Sequence, residues 1–124
     1  TDMIGRIDDW HTHSNYVYLI GSDRLSAELH DISEETNNKY IGLELDYTYN
    51  DVDDPNRYYY RSDHYNFAKN NIPVIFYFNG VHEDYHKPSD TIDKIDLEKT
   101  KRITKLIFLT AWEIANRDKR PALN

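Results

Sequence analysis

The sequence contains no cysteine. Disulfides and thiolate metal sites are therefore excluded, and any metal must be held by His, Asp or Glu. No apolar run approaches the ~18–20 residues that a membrane span needs. Basic residues are in deficit. The formal net charge is -7, whereas a surface that binds a polyanion needs the opposite sign, so nucleic acid is set aside as a partner. A Gly-rich phosphate loop, a nucleophile elbow and an HExxH pair are also missing. There is no internal repeat, no low-complexity tract and no signal-peptide pattern. The chain opens Thr1-Asp2-Met3 without an initiator methionine, the form expected of a processed or excised piece.

What is present is one domain's worth of chain. The 124 residues, 39% hydrophobic and 30% charged, suffice for a core in a soluble globular domain. Asp2-Met3-Ile4-Gly5-Arg6 reads as a strand end running into a Gly turn. Tyr16-Val17-Tyr18-Leu19-Ile20-Gly21 reads as a strand, being β-branched and aromatic with a terminal Gly. Ser22 or Asp23 then predicts the cap of a helix running to about Asn38, with Leu25, Leu29 and Ile32 at helical spacing. Ile41 to Asp46 predicts a second strand, and Tyr47 to Arg57 a long surface loop. Ser62 predicts the cap of a short helix ending at Asn70-Asn71. Pro73-Val74-Ile75-Phe76-Tyr77-Phe78 is continuously apolar, as in a strand covered on both faces. Leu97 to Asn116 predicts a final helix, with Ile103, Leu106, Ile107, Thr110 and Ile114 as its inward stripe and Asp96 and Glu98 at its positive end. Alternation of strand and helix predicts an α/β sandwich of three α/β/α layers with a mostly parallel sheet.

Several segments carry candidate chemistry. His86 lies in a polar loop just past the apolar strand, and α/β sites gather outside the carboxyl ends of strands. By itself a surface histidine is the commoner reading. Glu34-Glu35 reads as a solvated helix face. His11-Thr12-His13 could set two imidazoles on one face at two-residue spacing, but no carboxylate partner is evident and a plain loop reading leads. Asp63-His64 could orient a ligand or merely cap and pack. Tyr58-Tyr59-Tyr60 reads equally as a pocket lining with a phenol donor or as a half-buried strand.

Three stretches together resemble one family. Asp2-Met3-Ile4-Gly5, Ser62-Asp63-His64 followed by Ile72-Pro73-Val74, and Tyr85-His86-Lys87-Pro88-Ser89-Asp90-Thr91-Ile92-Asp93 are similar in order and spacing to the C-terminal half of the di-zinc aminopeptidases. That family includes bacterial leucyl aminopeptidases, glutamate carboxypeptidase and the transferrin receptor ectodomain. The resemblance implies residues 1–124 as a partial catalytic domain. It implies Asp2 as a ligand of one zinc, His86 as a ligand of the other, and Tyr85 or Tyr59 as donor to the oxyanion. Asp63 and Asp90 would be supporting residues. The family's remaining His, its bridging Asp and its Glu-Glu pair have no counterpart before Asp2 here. Two ligands cannot hold a zinc pair, so the isolated chain is expected to bind it weakly and to be inactive. A peptide substrate, self-association through an uncovered sheet edge, and a secreted or periplasmic setting are the further expectations. The alternatives are a metal-free receptor or binding domain of the same fold and a single-zinc glutaminyl cyclase relative.

Overall fold

The computed structural model describes Thr1–Asn124. Three strands form one sheet: β1 (Tyr16–Ile20), β2 (Glu44–Asp46) and β3 (Phe76–Phe78), in the order β2-β1-β3. Three helices accompany them: α1 (Ala27–Tyr40), α2 (Tyr65–Ala68) and α3 (Leu97–Ala115). No helix is long and apolar enough to cross a membrane.

β1 is the central strand, and all five of its residues are buried. Alternation divides its side chains between two apolar clusters. Tyr16, Tyr18 and Ile20 meet Phe76, Phe78, Tyr58, Tyr59 and Ala68 on one face. Val17 and Leu19 meet Leu43, Tyr77, Ile103 and Leu106 on the other. Each fully buried side chain of this kind contributes about 1.5–3 kcal/mol relative to exposure. The second face is the helical one. α1 and α3 pack against each other there, and Asn37 of α1 clamps Leu43 through its backbone N–H and C=O. The first face is covered by irregular chain between residues 48 and 74, which holds two single 3₁₀ turns and the four-residue α2.

The sheet is mixed, which corrects the mostly parallel expectation. β1, α1 and β2 form a true parallel crossover unit, but β3 pairs with β1 antiparallel. No full helix lies between β2 and β3, so nothing forces a right-handed parallel return. α1 also begins later than expected. Its cap is Ser26, whose Oγ accepts from the Leu29 N–H at 3.1 Å. The turn at Gly21 (φ +86°) brings Ser22 instead to His30 Nδ1, 2.9 Å away. Ser62 does not cap α2; its hydroxyl donates to Asp2 Oδ2 at 3.4 Å. The tyrosine triplet is a 3₁₀ turn, not a strand. The apolar run before Phe76 stays outside the ladder. α3 does match its expected span, capped by Asp96.

Candidate functional site

The first residues of the chain run beside β3, where the Asp2 N–H donates to the Tyr77 carbonyl at 3.2 Å. The segment after β3 turns back over the same end of the sheet. Asp2, Met3, Tyr58, Arg61, Ser62 and Tyr85 therefore line one small pocket of about 60 Å³. His86 is exposed and stacks on the Tyr85 ring at 3.8 Å between centroids.

A charged clamp joins the two motifs. Arg6 donates to Asp84 Oδ2 at 2.7 Å and to Asp90 Oδ1 at 3.0 Å. Lys94 reaches both oxygens of Asp84 at 2.9 Å. Asp84 and Asp90 flank His86, and Arg6 lies just beyond Asp2. Hydrogen bonds from Ser89, Lys94 and Arg6 hold the Asp84 carboxyl well below the usual carboxylate range. The clamp thus fixes the His86 loop relative to the Asp2 segment.

Backbone strain occurs in both segments, though not only there. Four non-glycine residues are left-handed, Met3 (φ 55°), Arg57 (φ 55°), Asn71 (φ 59°) and His86 (φ 57°), and two of them fall in these segments. Each such residue costs about 1–2 kcal/mol, and strain of this kind gathers at functional sites.

The resemblance-based candidates are distributed unequally. Asp2 and Tyr85 share the small pocket, and His86 adjoins Tyr85. Tyr59 lies in the core beneath the Arg24 guanidinium, 4.0 Å from its ring centroid. Burial raises the Tyr59 phenol pKa. Its neighbour Tyr58 is the tyrosine of the triplet that reaches the pocket. His64 packs: its ring stacks on Phe76 at 4.3 Å and Nε2 donates to the Tyr59 carbonyl at 2.6 Å. Burial lowers its pKa. Glu34 accepts from the Tyr47 hydroxyl on the side of α1, and Glu35 is exposed.

A second, larger cleft of about 890 Å³ adjoins the first and shares Tyr58 and Val81 with it. His11, Glu44 and Asp46 converge there, their ligand atoms all within 4.8 Å of one another. Glu44 and Asp46 lie in no motif, although i,i+2 spacing on a strand places both on one face.

The sequence profile of peptidase family M28 matches residues 6–111. The match spans most of the chain, which belongs to this family of peptidases. No curated protein and no solved structure matches it. Family members are typically zinc-dependent. The carboxylate of Asp2 and the imidazole of His86 fit zinc in kind. They do not fit in number, because neither joins a group of three potential ligands within this chain.

Proposed function

We propose that the chain carries the C-terminal half of the catalytic domain of a co-catalytic di-zinc aminopeptidase. The observation that supports this best is the shared pocket of Asp2 and Tyr85, tied by the Arg6 clamp to the loop that presents His86. On this reading Asp2 contributes to one zinc and His86 to the other, with the remaining ligands supplied from outside residues 1–124. Bound zinc would polarise the scissile carbonyl and supply hydroxide near neutral pH. Tyr85, at the rim, donates its phenol O–H to the oxyanion. Tyr59 acts through packing beneath this wall.

The complete domain would be the three-layer sandwich with a mostly parallel sheet, to which this chain gives three strands. Leu97, Phe108 and Trp112 are exposed along α3, and apolar surface of this kind supports self-association or a partner chain. The setting proposed is secreted or periplasmic. A metal-free binding domain of the same fold is the second reading; retention of both Asp2 and His86 favours the enzyme.

The residues that precede Thr1 in the source gene test the proposal. A His, Asp and Glu-Glu series is expected there. In the longer protein, Asp2→Asn and His86→Gln should each abolish hydrolysis of an aminoacyl-p-nitroanilide. Absence of that series, with full activity retained in both variants, would overturn it.

A further inference from the structure

We infer that His11, Glu44 and Asp46 form a second metal site, distinct from the Asp2 and His86 motifs, which takes a divalent first-row ion, zinc foremost. The inference goes beyond the proposed activity and does not depend on it.

The orientation of His11 is fixed by its neighbours. Its side chain is 8% exposed and stacks on Tyr16 with ring centroids 3.4 Å apart. Nδ1 lies 2.8 Å from Asp8 Oδ1, and Asp8 is itself buried and held by the Tyr18 hydroxyl at 2.6 Å. Donation from Nδ1–H to Asp8 leaves the Nε2 lone pair facing out of the stack. A carboxylate behind the far nitrogen is the arrangement that orients metal-ligating histidines and raises their basicity. Lys99 secures the loop from below, donating to the carbonyls of Ser14 and Tyr16 at 2.9 Å each.

What Nε2 faces completes the set. Asp46 Oδ2 is 3.3 Å away. Glu44 projects from the same side of β2 and meets His13 Nε2 at 3.3 Å. Zinc with bonds of about 2.0–2.1 Å places tetrahedral ligand atoms about 3.4 Å apart. The His11–Asp46 pair already has that separation. Glu44 is exposed, so its carboxylate can close the remaining distance by a rotamer change. One imidazole and two carboxylates suit zinc. The open cleft leaves a fourth position for water, and His13 stands beside Glu44 as a further donor.

The competing occupant of this geometry is a proton, with an imidazolium bridging Asp8 and Asp46. Zinc titration calorimetry separates the two. The chain carrying Asp2→Asn and His86→Gln removes the family's own ligands. It should still bind one zinc saturably, and cobalt in its place should give a ligand-field spectrum with nitrogen coordination. Adding His11→Gln should abolish that binding. Adding Glu44→Gln, an exposed change that leaves the fold intact by circular dichroism, should weaken it. Asp8→Asn should weaken it about 10–100-fold. Failure of the Asp2→Asn, His86→Gln chain to bind zinc, or binding indifferent to both His11→Gln and Glu44→Gln, would overturn the inference. Neither result bears on whether the Asp2 and His86 motifs serve a peptidase.

Discussion

Two histidines in this molecule differ in almost every physical respect. His86 is exposed, strained at φ 57° and anchored through its neighbours Asp84 and Asp90. The His11 side chain is largely enclosed, stacked and hydrogen-bonded on one nitrogen, with Asp46 before the other and Glu44 nearby. His86 lies in a segment that resembles a family motif and joins no group of three potential ligands in this chain. His11 belongs to no motif, yet three potential ligands converge at its outer nitrogen. Motif residues can thus stand without partners, while residues outside any motif converge.

The largest effects should fall on the His11 side. Gly80 sits at φ +86°, and a Cβ there would lie 2.5 Å from Asp8 Oδ2. Gly80→Ala should displace Asp8 and cost about 3 kcal/mol of stability by denaturant unfolding, combining left-handed strain with a broken buried hydrogen-bond network. His11→Ala removes the stack on Tyr16 and one partner of buried Asp8, and should cost about 2–3 kcal/mol. The same assay should return the opposite sign for His86→Gly, a gain of a few tenths to about 1 kcal/mol, because glycine adopts the left-handed conformation freely. Equal losses at both positions would erase the contrast.

The pH responses differ in the same way. The carboxyl of Asp84 is depressed by Ser89, Lys94 and Arg6. A depressed carboxylate stabilises the folded state above its ordinary value of 3.8 and loses that contribution as pH falls through the folded value. Acid should therefore loosen the His86 loop, seen as line broadening at Tyr85 and His86 in NMR spectra below about pH 4. At the other extreme, burial raises the phenols of Tyr16 and Tyr18 beneath His11 and that of Tyr47. Their protonated forms stabilise the folded state below the ordinary phenol value, and this is lost as pH rises beyond about 10. Part of the tyrosinate absorbance, that of the buried phenols, should appear only together with unfolding.

Local signals in the sequence carried a definite part of this structure. The run at residues 16–20 read as a strand because aromatic and β-branched residues fill both of its faces, and α3 was legible from Asp96 and its apolar stripe. Strand direction was not legible. Nothing in Phe76-Tyr77-Phe78 says that it pairs with β1 antiparallel; that depends on the irregular chain between β2 and β3. The start of α1 slipped from Ser22 to Ser26 because both are serines, and only the Gly21 turn decides which one caps. For the sites, Asp2, Tyr85 and His86 lie in motifs that the sequence displays. Glu44 and Asp46 required the parallel pairing of β1 with β2, which aligns Glu44 with Tyr16 and brings β2 beneath the His11 loop. That proximity is tertiary and has no local signature.

The central claim is that the Asp2 and His86 motifs are half of a zinc peptidase site. Its most direct test is the zinc stoichiometry of the unaltered chain, measured by calorimetry beside a peptide-hydrolysis assay. Apart from any zinc at His11, the account predicts no tightly bound ion that depends on His86, and no hydrolysis. Two tightly bound zincs, both lost with His86→Gln and accompanied by hydrolysis, would contradict it.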